Sequence, residues 1–181
     1  MKYALLFMTS MSAIVAPIPS TAAEEEYNVR VTFAGISKHL EPISISGIEY
    51  NERHGSFGVN FHKRTDNNTR YRDFGFMYMR DSYKQPAISL GAAYGVNWSP
   101  FNDFNISAGL VGGLQARSYT KSENQELIKL KRTIIPFIAP ELSASYKNVG
   151  TSLIVFPQVK RVRDKLEIQK PVLFLHFFYD F

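Results

Sequence analysis

Eight stretches in which apolar and polar residues alternate constrain the fold of this chain most strongly. They cover approximately residues 27–37, 54–64, 71–82, 86–98, 104–117, 133–146, 150–160 and 171–181. Turn-like sequences such as TDNNT, WSPFND and YKNVG separate them. A bilayer-spanning strand needs roughly 9–11 residues, and a sheet in hydrocarbon must close so that every backbone group has a partner. The pattern therefore predicts an all-β fold, an eight-stranded antiparallel up-and-down transmembrane β-barrel.

Both ends of the chain favour export to a bacterial outer membrane. Lys2, the apolar run YALLFMTSMSAIVA and the small residues PSTAA are typical of a signal peptide. We expect residues 1–23 to be this signal peptide and residues 24–181 to form the barrel, because the apolar run is too short for an anchor helix. The final PVLFLHFFYDF alternates and ends on an aromatic residue, like the closing strand of outer-membrane barrels. A soluble β-sandwich strand is the alternative, and the chain has no cysteine for a disulfide or a thiol nucleophile.

The parity of the strands predicts a lumen lined partly by small side chains. In the fourth predicted strand, Ile88 and Leu90 would face lipid, whereas Ala87, Ser89 and Gly91 would face inward. The fifth strand adds further glycines, and the sixth adds Ile135, Phe137 and Ala139. Either bulky residues from the opposite wall fill this space, or it is a cavity suited to a hydrocarbon chain.

With both chain ends in the periplasm, segments 38–53, 83–85, 118–132 and 161–170 are predicted to be extracellular. The last two contain many lysines and arginines, which would attract a phosphate-rich surface such as lipopolysaccharide; an ordinary solvated loop surface is the alternative. The net charge of +5 does not make nucleic acid an expected partner of an exported barrel.

An aspartate and a serine end the third predicted strand at this extracellular rim. Ser82 follows Asp81 directly, and a serine hydroxyl becomes a nucleophile only when a base takes its proton. His39 and His54 lie at the same rim and could both reach Ser82; His39 is preferred, and an exposed loop histidine is the alternative for each. The other two histidines are placed elsewhere: His62 at the periplasmic end and His176 in the lumen.

Four segments carry a resemblance to a known family. They are YNERHGSFG, MRDSYKQPAISLGAAYGVNW, GLVGGLQARS and IPFIAPELSASYKNVGTSLIVFP. Together they resemble the lipid A palmitoyltransferase family of the Gram-negative outer membrane, with gaps, over about residues 48–159. The adjacent aspartate and serine are the most specific element, because the family places its catalytic pair at the end of the third strand.

The resemblance implies an acyltransferase that moves a palmitoyl-type chain from an outer-leaflet phospholipid to lipid A. It implies Asp81, Ser82 and His39 as the catalytic residues, with no metal and no cofactor, in a monomer. His39 would be the base for Ser82 or for the acceptor hydroxyl, and Asp81 would orient it or stabilise its charge. A strict count, however, places Ser37 at the position of the family's histidine, and no room remains for the family's N-terminal amphipathic helix.

The resemblance also implies a lateral opening through which lipid enters the barrel and a cavity that holds its acyl chain. Pro140 and Pro157 match prolines of the family, and because proline donates no backbone hydrogen bond, they would open one seam of the wall to lipid; Pro136 would add to it. Gly91 matches a glycine that sets acyl-chain length, and Ala87 and Ser89 would line the same cavity.

A non-enzymatic barrel is the rival interpretation. Small outer-membrane barrels with charged loops also bind host surfaces or envelope partners, and their lumens are usually filled with polar side chains. An outer-membrane deacylase or phospholipase is a third class that would use serine and histidine.

Overall fold

The computed structural model describes residues 27–40, 50–65, 67–123, 126–162 and 165–181. The strands are β1 (Asn28–His39), β2 (Phe57–Arg64), β3 (Arg70–Arg80), β4 (Pro86–Phe101), β5 (Phe104–Glu123), β6 (Glu126–Tyr146), β7 (Val149–Val162) and β8 (Lys165–Asp180). Each pairs with its neighbour in sequence, and β1 pairs antiparallel with β8. The predicted eight-stranded antiparallel barrel is confirmed. The predicted signal peptide, residues 1–23, lies outside the described residues.

The outward surface of the barrel is apolar. The alternate residues of β4 that were predicted to face lipid are exposed, with Leu90 and Trp98 both 63% accessible. Large apolar residues are exposed on every strand in the same way, and aromatic residues such as Phe101, Tyr146 and Phe181 lie near the end that carries the chain termini. This surface suits hydrocarbon, and the architecture is that of a small outer-membrane barrel. Among the described residues, no helix is long and apolar enough to span a bilayer.

Two hairpins extend further than predicted at the outer rim, the end of the barrel opposite Asn28 and Phe181. The segments 118–132 and 161–170, predicted as loops, are mostly continuations of β5 and β6 and of β7 and β8. The predicted ends of these four strands were therefore wrong. Apolar and polar residues alternate along a strand only where one face contacts lipid and the other faces the lumen. Beyond the bilayer, the backbone ladder continues without an apolar face to reveal it.

A β-bulge in β1 decides which of its side chains enter the lumen. Relative to β8, β1 carries one extra residue between Phe33 and Ile36, and Ala34 there has a positive φ of 54°. A bulge of this kind changes the face to which the following residues point. Even-numbered residues face inward before it, whereas Ser37 and His39 face inward after it.

The ladder between β6 and β7 is short. It begins at Tyr146↔Val149 and ends at Glu141↔Ile154. In the described part of the chain, the outer portion of β6 pairs only with β5, and the outer portion of β7 only with β8. Pro140 is the first β6 residue beyond the ladder, and Pro157 interrupts the register of β7 with β8. Both prolines are exposed on the outer surface; their role in lipid access stays a prediction.

Charged and polar side chains fill the half of the lumen nearest the chain ends. The guanidinium of Arg30 donates to both oxygens of Asp180 at 2.6 and 2.9 Å and to Asp73 at 3.3 Å. Asp73 also bonds to His62, and Arg30 stacks 3.9 Å from the ring centroid of Phe178. This network closes the lumen towards the chain ends.

The space above two glycines of β4 and β5 is filled from the neighbouring strand. Tyr71 of β3 is the cross-strand partner of Gly95, which in turn pairs with Gly109. A Cβ added to Gly95 or Gly109 would come within 2.6 Å of the ring or hydroxyl of Tyr71, and this hydroxyl reaches Glu141 at 3.5 Å. The side chain that fills this space therefore comes from the adjacent strand, and not from the opposite wall as the first alternative had it.

We expect Arg30→Met to lower the free energy of unfolding by about 3 kcal/mol, because it leaves two partly buried carboxylates without the buried cation between them. The measurement is urea unfolding of the refolded barrel in micelles or vesicles. Arg70→Met, an exposed arginine on β3, is the matched control and should change stability by less than about 1 kcal/mol. Equal effects of the two substitutions would contradict a structural role for the buried network.

Candidate functional site

A pocket of about 50 Å³ opens at the outer rim. The end of β1, the segment 50–56 before β2 and the turn 81–85 between β3 and β4 build it. Backbone bonds hold these pieces together: Asn51 donates to the carbonyl of Ser82 at 2.9 Å, and Arg80 donates to the carbonyl of His54 at 3.0 Å. The pocket is lined by Ser37, His54, Met79, Asp81, Ser82, Gln115, Arg117, Phe156, Val172 and Phe174.

The structure brings Ser82 and His39 together. Ser82 Oγ lies 3.2 Å from His39 Nε2, and the serine is buried. The imidazole stacks on the ring of Tyr50, with 4.7 Å between centroids. Among the described residues, His39 Nδ1 has no hydrogen-bond partner, so no second contact fixes the tautomer of His39. The pair has the geometry of a hydroxyl and its base.

Asp81 has partners different from those expected. Its carboxylate accepts three backbone hydrogen bonds of 2.9 Å, from the N–H groups of Tyr83, Gln85 and Ser118. Within the described chain, no hydrogen bond joins Asp81 to His39. The carboxylate therefore organises the turn 81–85 and ties it to β5, and it holds Ser82 in place through the backbone.

A second serine–histidine pair lies in the same pocket. His54 Nε2 is 2.7 Å from Ser37 Oγ, and His54 Nδ1 is 2.5 Å from the carbonyl oxygen of Arg80. Because a carbonyl only accepts, Nδ1 carries the proton and Nε2 accepts from the serine. Burial lowers the pKa of His54, although the Arg80 carbonyl and Asp81 act in the opposite direction. The sequence named both residues but did not predict this contact, because it depends on the bulge in β1.

Beneath the rim pocket, the middle of the lumen holds a cavity of about 90 Å³. Of the predicted cavity residues, Ser89 and Gly91 line it, whereas Ala87 is fully buried in the adjoining apolar cluster. A Cβ at Gly91 would come within 2.7 Å of the carbonyl oxygen of Gly112. Glycine is therefore required here by the β4–β5 backbone as well as by the cavity.

Aromatic rings separate the cavity from the rim pocket. Phe156 lies between Phe137 and Phe174, with ring centroids 5.7 and 6.3 Å away, and Phe174 lies 5.6 Å from His54. Phe156, Phe174 and Met79 border both spaces. Each space is smaller than the roughly 300–1,000 Å³ of typical ligand pockets. Neither Pro140 nor Pro157 borders them among the described residues.

Comparisons with known proteins identify no family for this chain. No protein-family model matches the sequence, and no characterised relative was found. Among solved structures, the chain is similar to the outer membrane protein Ail of Yersinia pestis, whose backbone structure was determined in a phospholipid bilayer nanodisc. The identity is 10% and the TM-score 0.37, over 86% of this chain and 100% of the Ail chain.

We expect Asp81→Asn to loosen the tie between the rim turn and β5. Oδ1 accepts from Tyr83 and Gln85, whereas Oδ2 accepts from Ser118; an amide oxygen in place of Oδ1 keeps the first two bonds, and the amide nitrogen then faces the N–H of Ser118. The loss should be on the order of 1–3 kcal/mol and should appear as faster hydrogen exchange at the amide of Ser118. Glu52→Gln, at an exposed carboxylate paired with Lys38, is the control. Unchanged protection of Ser118 in Asp81→Asn would show that the tie does not depend on this carboxylate.

Proposed function

We propose that the protein is an outer-membrane acyltransferase that moves a palmitoyl-type chain from an outer-leaflet phospholipid to lipid A. The observation that supports this most is the 3.2 Å contact between Ser82 Oγ and His39 Nε2. The contact lies at the rim of a closed barrel, and the cavity below it has a mixed lining that includes Met77, Val111 and Phe137 as well as Arg30 and Glu141. We infer the type of reaction and its two lipid substrates from the resemblance of the Asp81-Ser82 segment to the lipid A palmitoyltransferases.

The reaction needs one base and a place for the chain. His39 Nε2 takes a proton from Ser82 or from a hydroxyl of the acceptor, and the resulting oxygen attacks the ester carbonyl of the phospholipid. The bond to the glycerol oxygen breaks, and the protonated base returns its proton to that oxygen. When the acceptor hydroxyl attacks, the products are a lysophospholipid and an acylated acceptor. When Ser82 attacks, an acyl-serine forms first, and the acceptor hydroxyl then displaces Ser82 from it to give the same products.

The charges and the wall of the rim suit lipids. Arg117 lines the rim pocket, and Arg132 is held nearby through a 3.1 Å bond to the carbonyl of Pro86. Guanidinium groups are suited to phosphate oxygens. The short β6–β7 ladder beyond Glu141 gives a lipid chain a lateral route that does not require breaking a hydrogen-bonded sheet.

The cavity must enlarge to receive a long chain. At about 90 Å³ it is too small for a palmitoyl group, so the reaction requires flexible side chains to move aside. Met77 and Met79 are suited to this because unbranched thioethers repack readily. Phe137, at the end of the aromatic series, would rotate with them.

The small cavity also favours a second candidate, a non-enzymatic barrel that binds host or envelope partners through its rim. The charged network around Arg30 fills the periplasmic half of the lumen, as in barrels that serve only as scaffolds for loops. The two candidates differ in a measurable way, because a scaffold would leave lipid A unchanged.

The test is mass spectrometry of lipid A from Gram-negative cells that express the protein. We expect a gain of one palmitoyl mass, which Ser82→Ala and His39→Asn should each reduce at least tenfold. Ser99→Ala, at an exposed serine near the opposite end of β4, is the control. Unchanged lipid A with correctly inserted barrel would favour the binding scaffold.

The length of the transferred chain should depend on the middle of the lumen. Val111 lines the cavity, and Val111→Phe should shift the product towards shorter chains because the added ring fills the base of the space. Leu110→Phe places the same ring on the lipid face and should leave chain length unchanged. Chromatography of the released fatty acids measures both variants, and an identical chain profile would mean that the chain is not held in the lumen.

A further inference from the structure

We propose that Ser37, activated by His54, is the nucleophile that receives the acyl group from the donor lipid. The inference rests on the proposed function in one respect, namely that an acyl ester is the substrate at the rim. It assigns a covalent role to Ser37, which the resemblance matched only by position to the family's histidine, and it gives His54 a serine other than Ser82.

The geometry of this pair is better defined than that of Ser82 and His39. The Ser37–His54 contact is 2.7 Å, whereas the Ser82–His39 contact is 3.2 Å. The Arg80 carbonyl holds Nδ1 of His54 and so presents the unprotonated Nε2 to the serine. A nucleophile, a base and a third group that orients the base are the three parts of a serine active site.

The surroundings of the pair also suit a covalent reaction. Ser37 and His54 are only 4% and 3% exposed, yet both line the rim pocket, which His39 does not. Water has little access to an acyl-serine at this position. The lowered pKa of His54 keeps its imidazole neutral near pH 7, since Arg117 and burial oppose protonation more than Asp81 and the Arg80 carbonyl favour it.

The covalent step balances in atoms and protons. As Ser37 Oγ bonds to the carbonyl carbon of the phospholipid ester, its proton passes to His54 Nε2. The tetrahedral intermediate collapses with loss of the glycerol oxygen, which takes that proton and leaves as the lysophospholipid. An acceptor hydroxyl then gives its proton to a base and attacks the acyl-serine. The bond between the acyl carbon and Ser37 Oγ breaks as the ester to the acceptor forms. The base releases the acceptor's proton, and Ser37 Oγ takes up a proton through His54 Nε2, which contacts it.

The two pairs then have separate tasks. Ser37 and His54 take the chain from the donor, and His39 serves as the base for the acceptor hydroxyl. Ser82, 3.2 Å from His39 Nε2, is then the positioning residue of that base. The pocket between them accommodates the ester carbon that both reactions share. Arg117 lines the same pocket and is available to the negative oxygen of each tetrahedral intermediate.

A long-chain alkyl fluorophosphonate tests the assignment directly on the folded full-length barrel in micelles. An activated serine displaces fluoride, so that its oxygen bonds to phosphorus and its proton passes through the base to solvent. Trypsin separates the two candidates: Ser37 lies in peptide 31–38, VTFAGISK, and Ser82 in peptide 81–84, DSYK. We expect the phosphonate mass on peptide 31–38.

Two variants and a matched control complete the test. His54→Gln should slow labelling of Ser37 at least tenfold, whereas His39→Asn should not. Ser56→Ala removes an equally buried serine whose Oγ has no hydrogen-bond partner among the described residues, and it should leave labelling unchanged. Labelling should also persist below pH 6.5, the ordinary pKa of a free histidine.

Label on peptide 81–84 alone, no label on the folded protein, or unchanged labelling in His54→Gln would each overturn the proposal. Failure of the proposed function appears separately. If peptide 31–38 is labelled but lipid A gains no mass, the acceptor is wrong and the nucleophile stands. If lipid A gains mass while Ser37 stays unlabelled, the transferase stands and the nucleophile is wrong.

Discussion

Backbone hydrogen bonding inside hydrocarbon is the constraint on which the rest of this structure depends. A strand that crosses a bilayer cannot leave its N–H and C=O groups unpaired, and closure of β1 on β8 satisfies this requirement around nearly the whole wall. In the described part of the chain, the β6–β7 ladder stops after Glu141↔Ile154. The β1–β2 ladder is equally short, but backbone bonds between the end of β1 and the segment 50–56 continue that seam. Unpaired backbone groups in hydrocarbon are costly. We propose that the outer part of the β6–β7 seam tolerates this cost because lipid passes through it.

Closure also explains how a site can form from distant parts of the sequence. His39, Ser82 and Ser37 come from strands that meet only because the barrel brings their outer ends to one rim. Local devices then aim the side chains: the bulge at Ala34 turns Ser37 and His39 inward, and the Asp81 carboxylate fixes the turn that carries Ser82. The site at the rim thus depends on a β-bulge and a turn, whereas the wall depends on regular strand pairing.

The same distinction explains what the sequence could predict. Alternation of apolar and polar residues is enforced wherever lipid and lumen lie on opposite faces, so the strand number, the lipid face of β4 and the inward position of Gly91 could be predicted. Outside the bilayer, neither face of a strand needs to be apolar. The extended hairpins of β5–β6 and β7–β8 therefore show no alternation by which the sequence could have predicted them. The bulge that pairs Ser37 with His54 shifts parity by one residue and has no local sequence signature. The packing of Tyr71 over Gly95 and Gly109 depends on the register of three neighbouring strands, which alternation alone does not give.

Transfer of an acyl chain between two lipids is the central claim, and its most direct test uses purified protein in vesicles that contain lipopolysaccharide and a phospholipid with a deuterated acyl chain. The account predicts that deuterium appears in lipid A, with one lysophospholipid formed for each chain transferred and little free fatty acid. Deuterium released as fatty acid would identify a hydrolase. No movement of the label by a correctly folded barrel would contradict the account and leave a binding scaffold as the function.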